Sequence, residues 1–263
     1  MRRSAVAAVL LPFAFAACSD LADLSGGESD AASDASAPDS TAGADADASV
    51  EAAPDANTCG HAFCDDFETG DLGARWVKTA VASGELTFDS MRSRSGSRSL
   101  RAAVASTAPF GAHAALQQSF AGPVTHFSCG GFVFVDSLPP TGYPILAIHL
   151  VPPAYDGQSV AVFAASAATD FARFDVVDGG NDSAHTSATA LSIGKWVDVR
   201  IDVHVAPPSS ATLLFDGIAV GTIDLPAPVD TAPNPTFELG LGTCPTGEGI
   251  TVYYDDAYCD LVP

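Results

Sequence analysis

The stretch "KWVDVRIDVHV", residues 195–205, constrains the fold more tightly than any other part of this chain. Val197, Val199, Ile201, Val203 and Val205 alternate with Trp196, Asp198, Arg200, Asp202 and His204. A period of two sends successive side chains to opposite faces of an extended strand. One face of this strand therefore lies on a core and the other meets water or a ligand. Asp202 and His204, like Asp198 and Arg200, read as a solvated strand face. Short runs of the same kind recur as "GGFVFVDSL", "YPILAIHLV", "ARFDVVD", "ATLLFDG" and "GITVYYDDAY", punctuated by Gly, Pro, Asn and Asp. "VAVFAASAA" fits either a helix or a strand. Many short strands without capped helical periods predict an all-β sandwich or barrel.

The strands begin only after a long N-terminal preamble. Arg2 and Arg3 precede an apolar run from Ala5 to Ala17, too short for a bilayer, which takes ~20 residues. The ending Phe15-Ala16-Ala17-Cys18 resembles the lipobox of bacterial lipoproteins. That resemblance implies a signal peptide over 1–17, a lipid on Cys18, and, from Ser19, an outer-membrane address. Ala, Ser, Asp, Gly and Pro dominate residues 18–57, aromatics are absent, and every charged residue among them is acidic. Such a segment has too little apolar surface to offset ordering, so it is expected to be a disordered acidic linker. "DADASVEAAPDA" echoes a calcium loop but has Val50 where glycine is needed and Ala56 where the bidentate Glu belongs.

Residues 58–263 then form one domain, a common length for a β-sandwich. The chain's formal net charge of −21 excludes nucleic acid as a partner and suits neutral or cationic ligands. In this domain "GKWVDVRIDVHV…SSATLLFDGIAVGTIDL" resembles the laminin-G / concanavalin A-like jelly roll, through Gly194, Trp196, Phe215, Asp216 and Gly217. "RSGSRSLRAAV", residues 94–104, is similar to that group's early strand, and "DDFETGDLGARW" and "VYYDDAY" to its first and last strands. The resemblance implies two antiparallel sheets packed as a jelly-roll β-sandwich. The Asp-Gly of "LLFDGIAVG" also has a direct reason, since Gly217 can adopt the positive φ of a tight hairpin turn.

The same resemblance makes the first and last strands neighbours, which gathers Asp65, Asp66 and Glu68 near Asp255 and Asp256. Carboxylates this dense repel unless something positive lies among them. The family pattern implies a structural Ca²⁺ held by Asp66, Glu68, Asp255 and Asp256. The competing reading turns half of these acids to solvent, near Arg75 or Arg101. Export implies disulfides. Cys129 with Cys244, Cys64 with Cys259, and the local pair Cys59–Cys64 compete as pairings. No thiolate zinc spacing is present.

Catalytic signatures are sparse. Glu68, Glu85, Glu238 and Glu248 are the glutamates of the domain, and none has a second acid in glycosidase spacing. No Gly-x-Ser-x-Gly, His-Glu-x-x-His or phosphate loop occurs, and the histidines are scattered. Tyr143 and Tyr155, in "PPTGYP" and "PPAYDG", are the candidate platforms for a sugar ring, with Asp156, Asn181 and Asp182 as a polar rim. Trp76 and Trp196 fall at core or near-core positions of the family pattern. The expected function is that of a surface-tethered lipoprotein. Its domain binds a glycan or another extracellular ligand without catalysis. The alternatives are a protein-interaction module of an envelope assembly and a diverged glycoside hydrolase or polysaccharide lyase.

Overall fold

A computed structural model describes residues 59–139, 142–150, 158–166, 170–178, 181–183, 189–225, 232, 234–242 and 249–262. Their strands are β1 (Phe63–Asp65), β2 (Lys78–Ala82), β3 (Gly84–Asp89), β4 (Ser99–Val104), β5 (His113–Ser119), β6 (His126–Val135), β7 (Tyr143–His149) and β8 (Gln158–Ser166). They continue as β9 (Asp170–Asp178), β10 (Asn181–Ser183), β11 (Thr189–Ala190), β12 (Trp196–His204), β13 (Ser210–Phe215), β14 (Ile218–Asp224), β15 (Thr236–Leu241) and β16 (Ile250–Val262). No helix occurs among the described residues. Residues 160–166 of the ambiguous "VAVFAASAA" lie on β8, where pairing on both sides, with β7 and β9, decides for the extended form; Ala167 and Ala168 lie outside the described residues.

The strands form two antiparallel sheets. The first runs β14-β13-β12-β6-β16-β4-β3, with β1 added beside β16. The second runs β10-β9-β8-β7-β15-β5-β2, with β11 added beside β9. Alternation supplies the core between them. Val197, Val199, Ile201 and Val203 of β12 face Phe237, Leu239 and Leu241 of β15 and Val160 and Val162 of β8 in one apolar cluster. Fully burying side chains of this size stabilises by about 1.5–3 kcal/mol each. Tyr254 of β16 is wholly buried, and its hydroxyl donates to the Ile145 carbonyl of β7 at 2.9 Å, tying one sheet to the other. Asp216 and Gly217 turn between β13 and β14 with φ of 49° and 77°, the double positive φ of a two-residue hairpin that a glycine makes accessible.

Two disulfides form among the described residues: the local pair Cys59–Cys64 is one, and the other corrects the long-range pairings expected of Cys129 and Cys259. Cys129 of β6 bonds Cys259 of β16, not Cys244, and Cys64 bonds Cys59, not Cys259. Strand parity is the reason. Cys129 and Cys259 are register partners on adjacent strands, and both point into the core. Cys64 stands opposite Tyr258, one residue out of phase with Cys259, and points the other way. Cys244 lies outside the described residues, as do Cys18 and the linker.

Candidate functional site

The first and last strands are neighbours, with Phe63, Cys64 and Asp65 opposite Cys259, Tyr258 and Ala257. The acids beside them close on one loop, "MRSRSGSRS", residues 91–99. Asp255 is fully buried and accepts from the Arg94 amide at 2.8 Å and the Ser95 amide at 3.1 Å. Asp256 accepts from the Ser95 hydroxyl at 2.8 Å and the Arg94 guanidinium at 3.0 Å. Glu68 accepts from the Ser97 amide and hydroxyl and the Arg98 amide at 2.7–2.9 Å. Gly96 wraps around that carboxylate with φ of 57°, where a Cβ would collide with Glu68. The loop's arginines also stack on aromatic rings: Arg92 on Phe134 and Tyr253, Arg94 on Phe132, Arg98 on Phe88.

This arrangement explains why the chain doubles its aspartates. β16 carries an irregularity in its pairing with β6 between Asp255 and Tyr258, and Asp256 sits there with φ of 48°. Aspartate tolerates that left-handed conformation better than most side chains. The kink turns two consecutive carboxylates onto the same loop. Asp65 is likewise buried and accepts from the Trp76 indole at 2.8 Å and the Phe67 amide at 2.9 Å. Asp66 turns outward and accepts only the Glu68 amide among the contacts seen. The positive groups at these carboxylates are Arg94, Arg98 and the loop amides, with the charge of Arg75 acting on Asp65. Arg75 donates to the Cys64 carbonyl, and Arg101 pairs with Glu85.

Burial pushes the Asp255 carboxyl up to about 6, against the pull of the Arg94 and Ser95 amides. The folded state thus holds a proton between pH 3.8 and about 6 that the unfolded chain releases. The stabilising effect of that proton is present in acid and is lost as pH rises through this window. It is worth roughly 2–3 kcal/mol at most. Asp255→Asn is expected to flatten the fall in stability across the window. Urea melts of wild type and variant at a series of pH values would show it, and parallel profiles would refute it.

A second polar cluster occupies the face of the second sheet that points away from the core. Gln117 of β5 donates to Glu238 of β15 at 2.7 Å. The same carboxylate oxygen lies 3.5 Å from His149 Nε2 on β7. His149 Nδ1 meets the Ser159 hydroxyl of β8 at 2.9 Å. The register builds this line. Glu238 stands opposite Gln117 on one side and Ala147 on the other, while His149 stands between Thr236 and Ser159. Ala80, Ala115, Gly240, Ala147 and Ala161 share this face, so small residues form its floor between the polar side chains. Burial pushes the Glu238 carboxyl up. The His149 hydrogen bond and charge, the Gln117 amide and the charge of His113 outweigh it and hold the group below the ordinary carboxylate range.

None of these residues stands out in the sequence, and their signal is faint. Each is a polar residue at an alternate position of an otherwise apolar strand, as in "HAALQQ", "LAIHL" and "FELGL". The residues chosen from the sequence fare differently. Tyr143 is not a platform: it is 1 % exposed and faces inward on β7, opposite Ala164. It belongs to the strand, whose parity turns it into the core. Tyr155 and Asp156 lie outside the described residues. Asp182 and Asn181 form part of β10 rather than a loop. Asp182 stands opposite Val177, in the same register row as Ser159, His149 and Thr236. Trp76 is buried, whereas Trp196 lies half-buried on the outward face of the first sheet, edge-on to Phe134.

No protein-family model and no curated protein matches the sequence. Solved structures match it in fold. The cellulose-induced protein Cip1 is similar with a TM-score of 0.59 and 13% identity over 75% of this chain and 96% of its own. An endo-β-1,4-glucuronan lyase from the fungus Trichoderma reesei gives 0.57 and 16%, over 77% of this chain and 96% of its own. Alginate lyase Aly36B gives 0.50 and 12%, over 72% and 88%. At such identities the likeness is one of fold: this chain is a jelly-roll β-sandwich of two antiparallel sheets.

Proposed function

We propose that the outward face of the second sheet binds a polysaccharide, and that the domain holds it without cutting it. The observation that carries this reading is the hydrogen-bonded line Gln117–Glu238–His149–Ser159, drawn from four adjacent strands and set among small residues. A row of donors and acceptors across a sheet face suits the hydroxyls of successive sugar units. The fold neighbours support a polysaccharide as the ligand class, since two are lyases of glucuronan and alginate and a third is named for its induction by cellulose. The acidic chain favours a neutral glycan over a polyanionic one. Both nitrogens of His149 are engaged within the protein, which favours binding over proton abstraction.

A diverged lyase is the second reading. An imidazole backed by a carboxylate is the usual form of a general base, and His149 with Glu238 has that form. Ser159 would then have to yield its place on Nδ1 to a proton of the substrate. The test incubates the full chain with a panel of neutral and uronic polysaccharides and follows retention together with the ultraviolet absorbance of newly unsaturated ends. Retention without new absorbance supports binding alone. Absorbance that grows with time replaces it with the lyase reading, and silence in both removes the glycan.

The domain's setting belongs to the same proposal. A lipid on Cys18 and the acidic linker up to residue 57 would tether it at an outer membrane, within reach of extracellular glycan. A structural Ca²⁺ at Asp66, Glu68, Asp255 and Asp256 would have to displace Arg94 and the amides that these oxygens now accept. If it does bind there, a calcium-selective chelator lowers the melting temperature. An unchanged melting temperature removes the ion from the account.

A further inference from the structure

The outward face of the first sheet carries a cluster that neither the polar row nor the arginine loop uses. His204 and Asp202 share one face of β12, and His126 of β6 stands directly opposite His204 in the register. The two imidazoles stack with centroids 4.0 Å apart and planes 7° from parallel. Both Nε2 atoms point at one carboxylate oxygen, Asp202 Oδ1, at 3.0 Å from His126 and 3.4 Å from His204. One potential ligand atom from each residue lies within 4.8 Å of the other two.

We propose that His126, Asp202 and His204 bind a divalent transition ion of the zinc class. Two imidazoles and one carboxylate are the donors such ions take. Ligands at ~2.0–2.1 Å in tetrahedral geometry lie about 3.3 Å apart, close to the 3.0 and 3.4 Å that separate the two imidazole nitrogens from Asp202 Oδ1. Without an ion, Asp202 Oδ1 can accept an N–H from each ring through its two lone pairs; a cation would instead take one lone pair from each of the three side chains. The sequence presents Asp202 and His204 as half of a solvated strand face. The strand pairing supplies His126 from 76 residues away and makes the set three. Three protein ligands leave a position for water or an outside donor, the arrangement of an open site rather than a closed structural one. The ion would also lock β6 to β12 at the edge of the register.

The experiment uses the full chain, after chelation and buffer exchange, titrated with Zn²⁺ by calorimetry and with Co²⁺ by visible absorption. One ion should bind, and its Co²⁺ spectrum should show ligand-field bands without thiolate charge transfer. His126→Asn and His204→Asn should each weaken that binding at least tenfold while leaving the metal-free melting temperature within a degree or two of wild type. Equal affinity in wild type and both variants, no heat of binding, or a thiolate band in the Co²⁺ spectrum would each overturn the proposal. Circular dichroism of the variants guards against loss through misfolding. Should either asparagine variant misfold, His204→Gln, at the more exposed ring, serves in its place.

Discussion

Replacing Cys129 and Cys259 together by alanine is expected to destabilise the domain by about 4–5 kcal/mol. The bridge joins residues 130 apart, so its removal returns a large loop entropy to the unfolded chain. Removing Cys59 and Cys64, five residues apart, should cost only about 2 kcal/mol on the same reasoning. For a domain of this length the first loss lowers the melting temperature by about 10–15 °C. Thermal melts of the two double variants would show the ranking, and peptide mapping without reductant would establish the pairing. Equal effects, or a Cys129-containing peptide linked to Cys244, would refute the bridge between β6 and β16. The position of that bridge gives it structural weight. β16 lies at the middle of the first sheet, against both β4 and β6, and also presents the acids that clasp the loop over 91–99.

The second large effect is expected at Glu238. It is the hinge of the polar row, accepting from Gln117 and lying beside His149 at once. Glu238→Leu leaves both of those groups without their acceptor, and hydrogen bonds to a charged group are worth about 1.5–3 kcal/mol. If the row binds a polysaccharide, the affinity of the retained ligand should fall about 10–100-fold. His149→Ala should act in the same direction. Thr87→Ala, on β3 of the other sheet, should leave retention unchanged. Affinity electrophoresis of the variants against the ligand found in the panel separates these cases. An undiminished affinity in Glu238→Leu would move the binding face elsewhere. A fall in product formation without a fall in affinity would place Glu238 and His149 in a catalytic role.

The two polar regions differ in how openly the sequence announces them. The doubled acids are local: Asp65-Asp66 and Asp255-Asp256 are visible as pairs, and the jelly-roll pattern places their strands side by side. Their partners are not visible, because "RSRSGSRS" looks like any polar loop until the strands close over it. Arg94 and the amides of Arg94, Ser95, Ser97 and Arg98 then come to lie at those carboxylates. The Gln117–Glu238–His149–Ser159 line has no local signature at all. It exists only once β5, β15, β7 and β8 lie in register.

Alternation along single strands is therefore what the sequence determined by itself. It is a property of neighbouring residues, since each peptide turns its side chain opposite to the last. The all-β class and the inward valines of β12 follow from it, while the Asp216–Gly217 turn follows from the positive φ that glycine makes accessible. Pairing belongs to the tertiary structure, because which strand lies beside which depends on burying every apolar face at once. That global choice set Cys129 against Cys259 and turned Tyr143 into the core. It also drew His126 to His204 and assembled a polar row from residues far apart in the chain.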